Sequence, residues 1–454
     1  MRPALPQQAR IRRETSRLNL PPGAQHDAPM TTSGLVGLAL GAAACMAADW
    51  PSYRGPSGNG RSPEKIARSW PDGGPKVLWR VPSRGGFSSI VVADGRAACL
   101  ELRDFGGADQ EAAVVRDAAT GQEIWARPLG TLKTGDGGQA GAPGNDGGDG
   151  PRSTPAFAGG RLYTFSAKLV LQCFDAKTGA EVWKHDLVKE FAGRNISWQN
   201  AQSPVVEGDV VLVAGGGAGQ SLIAFDKATG ATRWKAFDET CTHATTVVAD
   251  ILGRRQAVFF LKSGLLAVDP GTGAELWRYA FPFSISTAAS PVVAGDVVYC
   301  SAGYGVGAGA VRISREGTAF KATEIYRKAG NKPLANHWST PVLHEGHLYG
   351  MFQFKEYGTG PVKCVDIVTG DVKWEKGGFG PGHVIGVDQH VLALSDTGDL
   401  VLIRATPTGY QEVVRADVLP GKCWTTPVVA GGHVFARSTQ EAVCLDVSVK
   451  GAAR

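Results

Sequence analysis

The strongest constraint on the fold is a nine-residue pattern that occurs five times: Asp-x-x-Thr-Gly-x-x-x-Trp. Its first copy runs from Asp117 to Trp125. The glycine supplies the positive φ of a tight hairpin turn, so each copy predicts a strand, a turn and a second strand. The later copies end at Trp183, Trp234, Trp277 and Trp374. Five copies at one spacing indicate a repeat protein built of short β-strands.

A second pattern, Ser or Thr followed by Pro and apolar residues, alternates with the first. Clear copies begin at Thr154, Ser203, Ser290, Thr340 and Thr426, and weaker ones at Ser89, Thr246 and His383. Together the two patterns predict a unit of four antiparallel strands. Eight such units, at 46 residues each, occupy the span from Trp79 to Asp446. We therefore predict an all-β, eight-bladed β-propeller with four strands in each blade.

The ends of the repeat region predict how the ring closes. The segment 76–80 reads as an outer strand with no inner strands before it, whereas 424–446 supplies three strands without an outer one. The N-terminal strand should therefore complete the last blade. The predicted organisation is an N-terminal extension, a lead-in segment, the propeller and a tail, at residues 1–48, 49–75, 76–447 and 448–454.

The repeated tryptophans are interpreted as structural. Each would bury its indole between adjacent blades and direct its N–H to a backbone acceptor. The predicted docking residues are Trp79, Trp125, Trp183, Trp234, Trp277 and Trp374.

Composition excludes several other classes of protein. The chain is 43% hydrophobic and 20% charged, and its 61 glycines follow no three-residue period, so neither a disordered nor a collagen-like protein is expected. No apolar run reaches the ~18 residues of a membrane-spanning helix. Beyond residue 48, 42 basic residues balance 40 acidic ones, which predicts no surface for nucleic acid. We expect a monomer.

The N-terminal extension contains a segment typical of export signals. Residues 34–47 are apolar and end in small side chains. We expect an exported protein, periplasmic or extracellular, cleaved near Ala47 or Ala48. Lipid attachment at Cys45 and a buried or disordered N-terminal tail are the alternatives, and Met30 is an alternative start of the chain. The other seven cysteines are scattered singly and are interpreted as buried core side chains rather than a zinc or haem site.

The five nine-residue copies resemble the tryptophan-docking repeat of pyrroloquinoline quinone (PQQ)-type propellers. The segments 50–56, 150–155 and 336–338 are similar to a secreted bacterial branch often labelled polyvinyl-alcohol dehydrogenase-like. The resemblance covers about residues 49–447. It implies a quinoprotein alcohol dehydrogenase-like propeller, but the docking repeat belongs to the scaffold and does not identify an activity.

Candidate ligand-binding residues lie on the loops that cross from the outer strand of one blade to the inner strand of the next. Aromatic and polar side chains there are not needed to hold blades together, and they suit a small-molecule pocket at the channel mouth. The alternative is a channel capped by loop aromatics that pack on one another. The predicted set is Phe87, Arg152, Trp198, Asn200, His243, Asn336, His337, Trp338, His383 and Trp424.

These residues also bear on quinoprotein chemistry. Trp338 or Trp424 can stack on a planar quinone, and Arg152 can pair with one of its carboxylates. Calcium binding and proton abstraction need carboxylates as well. The acidic residues near the ring are few: Asp149, Asp238 and Glu239. The chain also lacks a C-x-x-C-H haem motif and adjacent cysteines. We assign no catalytic residue and no metal ligand.

The function expected from these observations is a non-catalytic propeller of the cell envelope that binds a small molecule, a glycan or an envelope protein. It resembles the propeller lipoprotein of the outer-membrane assembly machinery. The alternative is a PQQ-dependent alcohol or polyol dehydrogenase that holds PQQ with calcium. A third class is a structural module that uses blade edges or the face opposite the ring.

Glycine-rich segments are interpreted as loops. Residues 130–150 hold nine glycines in 21 positions and form an insertion that leads to Arg152, where it could serve as a lid. The clusters at 215–219 and 303–307 are interpreted as hairpin turns, because no helix follows to form a phosphate site.

Overall fold

A computed structural model describes residues 48–132, 150–332, 334–352 and 354–449. Residues 1–47, which include Cys45 and the export-like segment, lie outside the described residues, as do Asp149 and most of the glycine-rich insertion. The described chain is β-strand and turn almost throughout, with one four-residue helix, α1 (Leu187–Glu190).

The first two strands are β1 (Arg61–Ser62) and β2 (Lys76–Pro82). Blades 1 to 4 follow in chain order. Blade 1 consists of β3 (Val91–Ala93), β4 (Arg96–Asp104), β5 (Asp109–Asp117) and β6 (Glu123–Gly130), and blade 2 of β7 (Ala156–Ala158), β8 (Arg161–Phe165), β9 (Val170–Asp175) and β10 (Glu181–Asp186). Blade 3 consists of β11 (Val205–Glu207), β12 (Val210–Ala214), β13 (Leu222–Asp226) and β14 (Thr232–Ala236), and blade 4 of β15 (Val247–Ile251), β16 (Arg254–Leu261), β17 (Gly264–Val268) and β18 (Glu275–Ala280).

Blades 5 to 8 complete the ring. Blade 5 consists of β19 (Val292–Ala294), β20 (Val297–Ala302), β21 (Gly307–Glu316) and β22 (Ala319–Lys328), and blade 6 of β23 (Val342–His344), β24 (His347–Met351), β25 (Val362–Asp366) and β26 (Val372–Lys376). Blade 7 contains β27 (His383–Val387), β28 (His390–Leu394), β29 (Asp399–Arg404) and β30 (Glu412–Asp417). Blade 8 consists of β31 (Val428–Ala430), β32 (His433–Arg437) and β33 (Glu441–Asp446), with β2 as its fourth strand.

Strands that follow one another in sequence pair antiparallel within each blade. In blade 8, β2 pairs with β33, and Lys76 lies opposite Asp446. The predicted eight-bladed propeller, closed by its N-terminal strand, is therefore confirmed. One strand was not predicted: β1 adds to β27 in parallel, with Arg61 opposite Gly386.

The hydrophobic core lies between neighbouring blades, because a single sheet cannot bury both of its faces alone. Trp125 of blade 1 packs against Phe174 of blade 2, with ring centroids 6.0 Å apart. Strand β12, near the channel, is buried along its whole length, whereas the outer strand β14 buries only Trp234. Stability therefore depends on blade-to-blade contacts.

The docking tryptophans explain why the repeat pairs Trp with Thr-Gly. The Trp125 Nε1–H donates to Ala176 O of the next blade at 3.1 Å. A Cβ placed on Gly179, in that blade's turn, would lie 2.6 Å from the Trp125 ring. The glycine is thus required for its positive φ and for the approach of the neighbouring indole. Trp79, Trp183, Trp234 and Trp374 donate likewise to Ala118, Lys227, Pro270 and Thr406.

Trp277 departs from this rule. Its Nε1–H donates to Gln256 Oε1 of its own blade at 2.7 Å. The next blade has no Thr-Gly turn at this position, because β21 and β22 extend into a long hairpin. Gln256 supplies the acceptor that the missing turn would have provided.

The Ser/Thr-Pro pattern forms a belt of hydrogen bonds around the channel. The Ser89 N–H donates to Thr154 Oγ1, and the Thr154 N–H donates to Ser203 Oγ, each at 3.0 Å. Ser203, Ser290 and Thr426 continue the belt to Thr245, Thr340 and Ser89. Each hydroxyl satisfies a buried amide of the preceding blade, which explains the choice of Ser or Thr.

Residues 50–62 cross one end of the channel. Trp50 forms a β-bridge with Val92 of blade 1. The Arg54 guanidinium donates to Thr340 O and Pro341 O of blade 6 at 3.1 and 2.9 Å. Strand β1 then joins blade 7. The partners of β1, Gly386 and Val387, end β27 on the side away from the crossing loops. The acceptors of Arg54, Thr340 and Pro341, directly precede β23, so the segment enters the channel from the end opposite the predicted ring and its guanidinium reaches inward.

The described residues contain no helix with the length and apolarity to cross a membrane. All seven cysteines among them are buried and free. Burial raises the thiol pKa of each of them, for example that of Cys423 to about 12, so these cysteines pack as small apolar side chains.

Candidate functional site

The crossing loops of blades 5 to 8 bring several predicted residues together at the channel mouth. Phe87, His337, Trp338 and Trp424 lie in one group of rings. Three further rings join them from turns inside blades 5 and 6, and sequence reasoning missed these. We define the aromatic cluster as Phe87, Tyr304, His337, Trp338, Phe354, Tyr357 and Trp424.

Three rings of the cluster are nearly parallel. The centroids of Trp338 and Trp424 are 4.9 Å apart at an interplanar angle of 19°. Tyr357 stacks with Trp424 at 5.6 Å and 9°, and with Trp338 at 6.0 Å and 20°. Trp424 is buried, whereas Tyr357 is 40% exposed. We call Trp338, Tyr357 and Trp424 the platform, because they form an aligned aromatic surface that reaches solvent at Tyr357.

Cationic side chains lie over the cluster. The Lys422 Nζ is 5.2 Å from the Trp424 ring centroid and 5.5 Å from that of Tyr357. Lys355 lies over Tyr304 and Phe354, and Arg152 over Phe87. Cation–π contacts hold these charges in place beside the rings. The mouth therefore combines an apolar surface with positive charge.

The loop between blades 2 and 3 lines another side of the mouth. The Arg152 guanidinium donates to Trp198 O. His243 Nε2 lies 2.9 Å from Gln199 O. Trp198 and Gln199 have φ values of 66° and 65°, in the left-handed region, and Trp198 is 37% exposed. A non-glycine backbone in this region costs free energy, so the packing around the loop holds it in a strained conformation.

Two predicted residues act within the scaffold. The Asn336 side chain accepts from Tyr299 Oη at 2.8 Å and donates to Met351 O at 2.9 Å, and it is fully buried. The Asn200 amide donates to Ser166 O at 3.2 Å. These side chains position the crossing loops.

The three predicted histidines are neutral near pH 7. Burial, together with nearby His243 and Lys355, lowers the pKa of His337 to about 3. His243 and His383 are shifted to about 3 for the same main reason, burial. His383 Nδ1 lies 3.2 Å from Thr426 Oγ1 and so joins blade 7 to blade 8. The positive charge of the mouth therefore comes from lysine and arginine.

Asp396 is a further polar residue that sequence reasoning missed. Its Oδ2 accepts the Gly358 N–H at 2.9 Å, and its backbone O accepts the Cys423 N–H at 3.0 Å. It thus ties together the loops that carry Tyr357 and Trp424. Burial raises its pKa, which the Gly358 N–H and Lys422 oppose. Asp396 lies in the turn between β28 and β29, which is at the same end of the blade as the crossing loops. This position in the strand order is the signal from which the residue could have been found in the sequence.

Three buried polar atoms near the platform have no hydrogen-bond partner among the described residues. They are Trp424 Nε1, His337 Nδ1 and Asp396 Oδ1, each on a side chain at most 7% exposed. An unsatisfied buried polar group costs about 1–3 kcal/mol. Groups of this kind are available to an incoming ligand or to ordered water.

The platform leaves no room for a quinone between its two tryptophans. A planar ring held between two aromatic rings needs a gap of about 7 Å, twice the ~3.5 Å contact distance of stacked carbons. Trp338 and Trp424 are only 4.9 Å apart, so no ring-sized gap separates them. The described residues also contain no group of three His, Cys, Asp or Glu side chains that could hold a metal ion. They do not fit PQQ with calcium sandwiched between these two tryptophans.

Comparison with solved structures relates this architecture to two kinds of protein. BamB from Moraxella catarrhalis is 14% identical with a TM-score of 0.56, and covers 82% of this chain and 99% of its own. Quinohemoprotein alcohol dehydrogenase from Comamonas testosteroni is 14% identical with a TM-score of 0.62, over 89% of this chain and 81% of its own. At this identity the likeness shows the fold alone.

Comparison of sequences, unlike comparison of structures, points to one of these two kinds of protein. Outer membrane protein assembly factor BamB from Shewanella oneidensis is 25% identical over 237 residues, which is 50% of this chain and 56% of that protein. The match thus spans little more than half of the relative's length. The family model described as outer membrane protein assembly factor BamB matches residues 108–350, more than half of the chain. With its docking repeats and closed eight-bladed ring, the chain belongs to this family of PQQ-type repeat propellers.

Proposed function

We propose that this protein is a non-catalytic propeller of the cell envelope that binds a ligand or partner at the channel mouth. The aromatic cluster carries the proposal. Its rings and cations are not part of the docking tryptophans or the hydroxyl belt that join the blades, yet they gather at one mouth beside unpartnered polar atoms. Such a combination of apolar surface and few polar groups is typical of binding sites.

The opposite end of the channel supports the same assignment. Residues 50–62 cross it and hydrogen-bond to blades 1, 6 and 7. At the crossing-loop mouth, Tyr357 and Trp198 are 40% and 37% exposed and can be reached by a ligand from solvent. The envelope location rests on the relative and the family model that are both described as outer membrane protein assembly factor BamB, and on the export-like segment 34–47.

A quinoprotein dehydrogenase is the competing function, since one structural neighbour is a quinohemoprotein alcohol dehydrogenase. Calorimetric titration of the purified protein with PQQ and calcium separates the two. We expect no saturable heat at high micromolar PQQ. The proposal would be overturned by two results together. PQQ would have to bind stoichiometrically, in a calcium-dependent way that Trp338→Ala abolishes, and the loaded protein would have to oxidise an alcohol with a dye as electron acceptor.

Photo-crosslinking in intact cells tests the use of the mouth. A photoreactive residue at Tyr357 should give crosslinks to a specific envelope component, whereas one at Phe320, on the distant hairpin of blade 5, should not. Crosslinks from Phe320 alone would instead support a scaffold that binds through blade edges.

A further inference from the structure

We infer that the inner strands of blades 3, 4 and 5 bind an extended peptide segment of a partner protein, at the end of the channel opposite the aromatic cluster. The segment would add as a short strand to the channel-side edges of β11, β15 and β19. This site is separate from the channel mouth, so the inference goes beyond the proposed function. It follows from a comparison of the inner strands of the eight blades.

Each inner strand presents the backbone of one residue near its end to the channel. In blade 1, Ala93 and Arg96 flank a two-residue turn and form the hydrogen-bonded pair that closes it. The residue before, Val92, therefore directs its N–H and C=O away from the blade. Both groups are used, since Val92 exchanges two hydrogen bonds of 2.8 Å with Trp50. An inner strand thus offers a donor and an acceptor to a chain that lies along it.

Residues 50–62 occupy the same edge in other blades. The Phe157 N–H of blade 2 donates to Pro51 O at 2.7 Å, and the Gly386 N–H of blade 7 donates to Gly60 O at 2.8 Å. In blades 6 and 8 the corresponding carbonyl oxygens accept from side chains of this segment, and they belong to Leu343 and Val429. The chain itself therefore shows how an extended segment binds these inner edges.

The inner edges of blades 3, 4 and 5 lack such a partner. By the same register, the equivalent residues are Val206, Asp250 and Val293. Among the described residues, none of their backbone groups is hydrogen-bonded to another blade or to residues 50–62. Exposure agrees with this, because all three residues of β11 are half-buried whereas all three of β3 are buried. Three adjacent blades therefore offer unpaired donors and acceptors along one arc of the channel.

A strand edge of this kind selects an extended peptide. Its N–H and C=O groups must find partners when a ligand covers them, or the complex loses about 1–3 kcal/mol for each. An extended polypeptide carries donors and acceptors on one edge at alternate residues, and strand addition is an established mode of peptide recognition. A lipid chain has no such groups, so it would leave the edge unsatisfied.

A small cavity beside the arc indicates which side chains the peptide carries. The cavity lies between residues 52–58 and blades 3 to 5, and Val206, Val248 and Ser290 line its blade side. Ser290 is 2% exposed, and its Oγ has no hydrogen-bond partner among the described residues. A threonine offers a methyl group to the valines and a hydroxyl to Ser290. The site therefore favours small β-branched residues, which also prefer the extended backbone.

Fluorescence anisotropy with the purified full-length protein tests the inference. The probe is the peptide Thr-Val-Thr-Val-Thr-Lys, capped at both ends and labelled with fluorescein on the lysine. Two matched control peptides carry N-methyl groups, one on its valines and the other on its threonines, because alternate residues direct their N–H groups to the same edge. We expect saturable binding of the probe, and at least tenfold weaker binding of one methylated peptide than of the other.

Proline substitutions locate the site. Val206→Pro and Val293→Pro each remove an N–H that faces the channel and that the pairing with the next strand does not use, so the blade keeps its ladder of hydrogen bonds. Each should weaken probe binding about threefold to tenfold, the effect of one lost hydrogen bond. Val429→Pro is the matched control, since it makes the same change in blade 8, where Ser62 already lies on the edge. It should bind the probe as the parent does. Thermal unfolding establishes that the variants are folded.

The outcomes separate this inference from the proposed function. No probe binding at millimolar concentration, equal affinity for the two methylated peptides, or equal effects of Val206→Pro and Val429→Pro would each overturn the inner-edge site. Loss of probe binding in Tyr357→Ala would also overturn it, because the peptide would then lie at the mouth. Probe binding that Val206→Pro weakens, together with no crosslinks from Tyr357 in cells, would support the inner-edge site while the proposed function fails.

Discussion

The contact between Trp234 and Gly273 allows the docking repeat to be tested as a coupled pair. Trp234 is 8% exposed, and its Nε1–H donates to Pro270 O at 2.9 Å. Burial of roughly 200 Å² at ~25 cal/mol per Å² is worth about 5 kcal/mol. Trp234→Ala should therefore lower the free energy of unfolding by about 3–5 kcal/mol, as for other buried aromatic side chains.

Gly273→Ala should be costly for two reasons. The residue has φ +74°, which costs an L-residue about 1–2 kcal/mol. Its new Cβ would also lie 2.6 Å from the Trp234 ring, and overpacking of this kind costs about 1–3 kcal/mol. The second cost disappears when the indole is removed. In the Trp234→Ala background, Gly273→Ala should cost only the backbone part, so the double variant loses about 1–3 kcal/mol less than the sum.

Urea unfolding followed by far-UV circular dichroism measures this coupling. Gly253 is the matched control, because it has φ +75° with no atom within 4 Å of an added Cβ. Gly253→Ala should cost the same in both backgrounds. If Gly273→Ala were as mild as Gly253→Ala, or if its cost were unchanged without the indole, the explanation of the repeat would be refuted.

Three further predictions concern buried polar groups. Arg54→Met removes three hydrogen bonds to backbone oxygens and should lower the free energy of unfolding in urea by about 3 kcal/mol. Thr154→Val removes the acceptor of the buried Ser89 N–H and should cost about 1–3 kcal/mol by the same assay, whereas Thr154→Ser should restore most of it. Burial raises the pKa of Glu111 from 4.5 to about 7. The folded state therefore binds more protons than the unfolded state in that range, and the stability from this group, fully present below pH 4.5, is lost as the pH rises through 7. Glu111→Gln should flatten the stability profile over this range, as measured by urea unfolding at a series of pH values.

Each of these predictions has an outcome that would contradict it. Arg54→Met should be far more damaging than Arg315→Met, because Arg315 is exposed on the blade 5 hairpin. Equal effects would mean that residues 50–62 contribute little to closing the channel. Thr154→Val should lower the free energy of unfolding more than Thr154→Ser does, and equal losses would contradict the role given to the hydroxyl. For Glu111→Gln, a slope unchanged between pH 4.5 and 7 would show that other groups set the pH dependence.

The candidate site was only partly predictable. Phe87, Trp338 and Trp424 were found because they hold equivalent positions before the inner strands of their blades. Phe354, Tyr357 and Lys422 hold no repeated position. Asn336 was selected as a neighbour of Trp338 on the same crossing loop, yet its side chain oxygen accepts from Tyr299 and its amide donates to Met351. Position in a repeat identifies the loop, but which side chain faces the mouth depends on packing with loops far away in sequence.

The sequence by itself determined the number of blades, their strand order and the closure of the ring. These features follow from local turn chemistry repeated at a fixed period, such as Asp-x-x-Thr-Gly followed by Trp. Only the tertiary structure decided that 50–62 crosses the channel and that Trp338 and Trp424 stack on each other. Those contacts join residues from different blades, and nothing local in the chain encodes them. The ring of blades brings them together, so their geometry is a property of the closed propeller.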